Sequence, residues 1–431
     1  MRWIFTLFQD NIFLRNSAVL FSGTMVMNVL NYAFHFSLGR IVDAETYGAV
    51  QSLIALLAII SVPAAALGMV ATKYGAIAKA REDYFFGKDL FSFLNTRIIK
   101  YGWPILIGGF LLTPFIQSFL RIDDWLAVSL VWMLAALTFF SSASIGLLSG
   151  WQRFGAVNRA NVIGAGVKLV LGIFLAWLGF GLDGIIFGIV LAGAIGYFIS
   201  VRNLRFLKNH QSPLSQTSSE KAKEPFSFSS VRSYVATAFL GTLGLVMLGN
   251  VDMVLAKHSL SPEIAGAYSA LMVVAKVIFF ATGVMAAVLF AMSSESVERE
   301  KDGPQSFSVF WGALALTVLA VTIAITVYFL VPEFVMSIFF GDKYLEFAPL
   351  LGWFGLAAGL YAVVNLILQQ LLSMQVTLAA QWLLGIAILE AIGIFFWGSS
   401  VISIIMVVIG AQVIALLSGL VFVARACKIK P

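Results

Sequence analysis

Apolar runs of about twenty residues, each closed by a short polar turn, follow one another along the whole chain, which is the spacing a hydrocarbon core of about 30 Å demands of a helix. The pattern predicts twelve membrane-spanning helices, at 16–38, 49–73, 98–120, 125–149, 160–179, 182–201, 232–256, 264–292, 307–331, 348–372, 376–397 and 399–424. It breaks once, at Asn203–Ser230, where Ser, Lys, Glu and Pro replace the apolar residues and a soluble linker is expected. The expected domains are an interfacial helix at 1–15, a six-helix bundle at 16–202, a cytoplasmic linker at 203–230, a second six-helix bundle at 231–424 and a cytoplasmic tail at 425–431. The first fifteen residues carry charges at both ends and no small-residue cleavage signal, so the first span is expected to stay uncleaved.

A repeat underlies the two sixes. Gly39-Arg40-Ile41-Val42-Asp43-Ala44-Glu45-Thr46-Tyr47-Gly48 has a counterpart in Asp252 to Lys257 followed by Ser261-Pro262-Glu263-Ile264-Ala265-Gly266-Ala267-Tyr268. Glu45 and Glu263, like Gly48 and Gly266, are 218 residues apart, and Leu147-Leu148-Ser149 matches Leu371-Leu372-Ser373 at an offset of 224. Six is even, so both halves enter the membrane from the same side and the repeats are parallel, related by an axis along the membrane normal. Within the matched turns, Asp43 and Ser261 are expected N-caps, Glu45 and Glu263 favour the first helical turn, and Pro262 suits the first helical position. Pro63 and Pro104 fall within spans, where kinks are expected.

Composition agrees with the pattern: the 431 residues are 60% hydrophobic and 11% charged, with a mean hydropathy of +0.96. The net charge of +6 raises the question of nucleic acid, but the distribution of the cations answers it. With the N-terminus inside, 21 of the 27 Lys and Arg fall in inner loops or at inner span ends. Four, Arg40, Arg121, Lys257 and Lys343, fall outside, and two, Lys168 and Lys276, lie within spans. That bias supports an N-in, C-in topology in the cytoplasmic membrane and leaves nothing for nucleic acid to explain.

The candidate chemistry is what remains polar at membrane depth, because a charge within a span is costly and faces a cavity or a partner. Lys276 lies mid-way along span eight and Lys168 about 12 Å into span five, at 1.5 Å per residue. Asn28, Asn31 and His35 share one face of span one, Asn158, Asn161 and Lys168 one face of span five, and Asn365 and Gln369 one face of span ten. Glu390 lies within span eleven, Asp252 near the outer end of span seven, and Lys73 at an inner span end. The functional reading is a central cavity whose cations receive an anionic group. The structural alternatives are a snorkelling anchor for Lys73 and Lys257, a packing role for His35, and a pairing of Glu390 with Lys168 or another base. Enzyme signatures are weak: Gly179-Phe180-Gly181-Leu182-Asp183-Gly184 fits G-x-G-x-x-G but sits between two spans with no preceding strand. One cysteine and three histidines give no zinc spacing, so neither catalytic residues, metal nor cofactor are expected.

Asn16-Ser17 at the first span, Gly39-Arg40 with Tyr47-Gly48, and Asp252, Glu263 and Gly266-Ala267-Tyr268-Ser269 resemble the polysaccharide-biosynthesis exporters. These are the O-antigen-type, lipid-linked oligosaccharide flippases of the multidrug/oligosaccharidyl-lipid/polysaccharide (MOP) superfamily. The resemblance covers essentially the whole chain. It implies an all-α polytopic membrane protein with two parallel six-helix bundles in a V, a cationic cavity, and alternating access that moves a polyprenyl-pyrophosphate-linked glycan between leaflets. Polysaccharide-assembly proteins as partners, and coupling to H+ or Na+, are open alongside that reading. In that reading Lys276 and Lys168, with Lys73, hold the phosphates; Asn28, Asn31, Asn365 and Gln369 contact sugar hydroxyls; and Asp252, Glu390 or His35 carry the coupling ion. Many members carry an arginine-rich cavity, whereas the deep cations here are two lysines. A cation-coupled multidrug or small-solute antiporter of the same superfamily is the alternative. A membrane glycosyltransferase or ligase is disfavoured by the short outer loops, and a non-transporting assembly subunit stays open.

Overall fold

The computed structural model describes residues 12–209, 239–299, 305–373 and 378–429. Residues 1–11 of the expected interfacial helix (1–15), residues 210–230 of the expected linker (203–230), the start of the seventh run at 232–238 and the last two residues lie outside them. Among the described residues there is no strand. The helices are α1 (Ile12–Ile41), α2 (Ala44–Ile60), α3 (Val62–Ala80), α4 (Tyr84–Leu120), α5 (Trp125–Gly150), α6 (Phe154–Trp177), α7 (Gly181–Asn203) and the short α8 (Phe206–Asn209). They continue with α9 (Phe239–Leu248), α10 (Val251–Ser259), α11 (Pro262–Arg299), α12 (Gln305–Leu330), α13 (Pro332–Phe340), a 3₁₀ segment (Gly341–Leu350), α14 (Leu351–Ser373), α15 (Leu378–Trp397) and α16 (Val401–Ile429).

A helix occupies the described part of every apolar run. Among the described residues eight helices are each long and apolar enough to cross a bilayer, and ten when each bent pair is taken as one span. The bent pairs are α2 with α3, at 47°, and α9 with α10, at 41°. Pro63 stands in the first turn of α3, where its missing N–H and its ring cannot continue the α2 ladder. Pro104 and Pro114 lie inside α4, which runs on through both as one helix.

The chain forms two compact units: residues 1–35, 60–118 and 123–235 in the first, and 36–59, 119–122 and 236–431 in the second. In the first unit α3 packs on α5, α5 on α7 and α6 on α7. Small residues make this closeness available where no hydrophobic drive separates helix from lipid. A Cβ on Gly150 would meet the backbone of Ala76 at 2.8 Å, and one on Gly188 the backbone of Gly172 at 3.0 Å.

The second unit holds α2, the last turns of α1 and the helices from α9 onward, with α14 packed on α11, α12 and α16. The expected helix starts are present: the Thr46 amide and hydroxyl donate to the two Asp43 carboxylate oxygens at 2.7 and 2.8 Å, and α11 opens on Pro262. Partial burial works against the Asp43 charge, but those hydrogen bonds and the nearby Lys343 ammonium outweigh it and hold the carboxyl below its ordinary range. Lys343 also donates to the Gly39 and Val42 carbonyls at the end of α1. In return Arg40 donates to the Ser337, Ile338 and Phe339 carbonyls at the end of α13. Each helix end therefore has its unpaired carbonyls met by a cation from the other.

The repeated turns meet each other in this unit. A Cβ on Gly48 would lie 2.9 Å from the Gly266 nitrogen, and one on Gly266 would run into the Ala44 carbonyl oxygen. Nothing surrounds Gly385 in α15. Gly266→Ala is therefore expected to lower the melting temperature of the detergent-solubilised protein, by an overpacking cost of about 1–3 kcal/mol. Gly385→Ala should be neutral or stabilising by up to about 1 kcal/mol through helix propensity. Equal responses of the two variants would contradict the close approach.

Candidate functional site

The polar residues at membrane depth gather in two places, one in each unit. In the first unit Lys168 stands on α6 with its Nζ 4.7 Å from the centre of the Phe34 ring, which is fully buried. Gly172, one turn further along α6, makes the room, since a Cβ there would lie 2.7 Å from Phe34 Cε2. Nearer the start of α6 the Asn158 side-chain amide donates to the Val19 carbonyl of α1. The two helices are thus tied at two levels, and Asn158 is spent on the tie. Lys168 is half-buried, and no counter-charge among the described residues acts on it. An ammonium on an aromatic face gains up to about 2 kcal/mol, less than an anion would supply. Asn28, Asn31 and His35 lie half-buried on the same stretch of α1 as Phe34. His35 is edge-on to that ring, with centroids 5.3 Å apart. Lys73 is exposed on α3, as an anchor would be.

The second site forms where α9 breaks into α10. Gly249 and Asn250 interrupt the helix, and a Cβ on Gly249 would lie 2.7 Å from the Tyr361 hydroxyl oxygen. A break within hydrocarbon frees carbonyls that must find donors. Gln412 Nε2 donates to Leu248 O at 3.2 Å and Lys276 Nζ to Gly249 O, while Tyr361 adds a second donor at 3.0 Å to Leu245 O, which keeps its bond from Gly249 N. Lys276 also reaches Met253 Sδ at 3.5 Å. Two carboxylates stand beside these donors. Asp252, 1% exposed, accepts a hydrogen bond from the Tyr268 hydroxyl at 2.8 Å, while its other oxygen has no partner. Glu390, also 1% exposed, has neither oxygen hydrogen-bonded, and it interacts electrostatically with Asp252 and Lys276. The base facing Glu390 is thus Lys276.

Asn365, one turn past Tyr361 on α14, is buried, and Gln369 is half-buried one turn beyond. Lys257 differs from a snorkelling anchor: it is 2% exposed, its ammonium has no hydrogen-bond partner, and Glu45 and Asp43 act on it against Arg121. An anchor needs its ammonium in reach of the headgroups, and burial denies Lys257 that. Four groups of these sites were missed in the sequence: Phe34, Tyr268, Tyr361 and Gln412. Gln412, a polar residue deep in an apolar run, carried a readable signal. The three aromatics carried none, since an aromatic residue in a span is ordinary.

The profile of a family described as "Polysaccharide biosynthesis protein" matches residues 13–296. No curated protein matches. Among solved structures, an inward-facing multidrug resistance MATE family transporter of the MOP superfamily aligns with a TM-score of 0.73 at 13% identity, over 96% of this chain and 100% of that one. An outward-facing multidrug resistance MATE family transporter aligns at 0.58 and 13% identity, over 96% of each chain. A MOP superfamily transporter from Pyrococcus furiosus, described as having a binding pocket of reversed polarity, aligns at 0.57 and 14%, over 96% of this chain and 95% of that one.

Proposed function

This chain belongs to the polysaccharide biosynthesis protein family, and from that premise we propose that it is a flippase. Its cargo is a polyprenyl-(pyro)phosphate-linked oligosaccharide, moved across the cytoplasmic membrane by alternating access during cell-surface polysaccharide assembly. The fold is that of the MOP-superfamily transporters, and the multi-pass character follows from the apolar helices. Twelve spans with both termini inside are the topology consistent with the charge bias.

The observation that carries the reading is Lys168. A half-buried lysine with a ring below it and no counter-charge among the described residues is a site short of an anion, and a cargo phosphate supplies one. Asn28 and Asn31 on α1, and Asn365 and Gln369 on α14, supply amides for sugar hydroxyls. Lys276 is bound to the Gly249 carbonyl and faces Asp252 and Glu390. It fits better as the internal counter-charge of a coupling site than as a phosphate ligand. Asp252 and Glu390, with their unpartnered oxygens, take the H+ or Na+.

Replacing Lys168 with Met should slow the movement of labelled lipid-linked sugar in proteoliposomes by about ten-fold or more, the size of a lost charge-assisted contact of about 1.5–3 kcal/mol. Arg at the same position should retain part of the rate. Wild-type rates for a correctly inserted Lys168→Met would remove the phosphate assignment. For the coupling site, Glu390→Gln is expected to abolish the response of transport to an imposed proton or sodium gradient while leaving cargo exchange without a gradient intact. A gradient response that survives in both Glu390→Gln and Asp252→Asn places coupling elsewhere.

The same two carboxylates favour a second reading, a cation-coupled antiporter of organic cations. It predicts uptake of a lipophilic cation by inverted vesicles that is competed by protons, with no movement of lipid-linked sugar.

A further inference from the structure

A groove of about 190 Å³ lies in the first unit between the start of α4 and the end of α7 with the turn that follows it. Lys88, Arg202 and Arg205 line it together with Phe91, Phe198 and Leu207. The spacing puts these groups in place: Lys88 and Phe91 are three apart on α4, while Phe198 and Arg202 are one turn apart on α7. The apolar run that becomes α7 ends at Val201, so Arg202 and Arg205 stand where hydrocarbon gives way to headgroups. The groove brings Lys88 to the same level. Phe198 is 61% exposed on the hydrocarbon side of that level.

What distinguishes the three cations is that the protein does not use them. Their neighbours at this end of the unit are engaged: Lys79 donates to Gln152, Arg153 lies 3.6 Å over the Phe206 ring, and Arg159 donates to Asn203 at 3.1 Å. Among the described residues no acid or acceptor holds Lys88, Arg202 or Arg205. Of the nearby acids, Asp83 is spent on the Phe86 amide at 2.8 Å, and Asp89, beside Lys88, is exposed and outside the groove lining. Three uncommitted cations converge on one small space with an apolar floor.

We propose that this groove binds the headgroup of an anionic bilayer phospholipid. Its phosphate is held by Lys88, Arg202 and Arg205, and the first methylenes of its acyl chain lie on Phe91 and Phe198. Charge-assisted bonds from guanidinium groups suit a phosphate, and basic pockets between helices at the membrane surface are where such lipids are recognised. The volume of about 190 Å³ suits a phosphate with glycerol, and the lining shares no residue with the Lys168 site. The lipid clamps the start of α4 to the end of α7.

The full chain, purified and placed in nanodiscs of phosphatidylcholine with a minor share of phosphatidylglycerol, is released and weighed by native mass spectrometry. The wild type should retain phosphatidylglycerol in preference to phosphatidylcholine. The triple variant Lys88→Gln, Arg202→Gln, Arg205→Gln should lose about ten-fold or more of that preference, as expected for three cations near an anionic surface. Arg81→Gln, an exposed cation outside the groove, should keep it. If the triple variant melts below the wild type without lipid, Arg202→Glu alone must give the same loss. Inorganic phosphate at millimolar concentration should not displace the lipid. The proposal is overturned by equal retention of the two lipids in the wild type, by full retention in the variants, by an equal loss in Arg81→Gln, or by displacement with phosphate alone, which would mark a general anion site.

Discussion

A helix that breaks inside hydrocarbon must find new donors for the carbonyls it frees, and the second unit is arranged around that requirement. Tyr361 adds a second donor to the Leu245 carbonyl, which keeps its bond from Gly249 N, and Leu248 and Gly249, which lose their helical partners at the break between α9 and α10, are met by Gln412 and Lys276. These donors come from α14, α16 and α11. One irregular peptide therefore fixes the rotation of three helices, because each must turn a polar side chain toward it. It also explains why Asp252 and Glu390 are tolerated, since an ammonium and two phenol groups already stand there. Breaking the helix creates the polar pocket as well as the bend.

The first unit meets the same solvent with a different device. Lys168 is not matched by an acid but placed on a ring, and the ring is admitted by a glycine one turn away. An acid partner would satisfy the lysine outright and leave it nothing to bind. The aromatic face satisfies it in part. The contrast separates the two sites chemically: an internally paired cluster suits a small ion that changes its charge balance, whereas a half-satisfied cation suits an anion carried in from outside.

Much of this was legible in the sequence. The apolar ruler located a helix in every run, because length and hydropathy are set by the bilayer rather than by neighbours, but it passed over α8 and α13, which lie in stretches expected to be linker and loop. Asp43 and Pro262 announced helix starts through local chemistry that needs no tertiary partner. Lys168, Asp252, Lys276 and Glu390 stood out as charges where charge is costly. The pairing of those charges was not legible, since it depends on rotations set by the break at Gly249–Asn250, and Gly-Asn in a span is a weak signal. Nor could the sequence show that residues 36–59 pack with the second unit, although the matched glycines at 48 and 266 hinted at it by being the residues that touch. The headgroup groove was hidden for another reason: its cations belong to two stretches more than a hundred residues apart, each of which reads as an ordinary basic loop.

Arg40 and Lys343 join two helix ends in a way that neither could alone. Each side chain reaches from its own end to the carbonyls of the other. Those carbonyls are neutral, so both cations keep their charge while they hold the backbone. The last turns of α1 and the end of α13 are thus latched from both sides, and pulling one away breaks both sets of contacts at once.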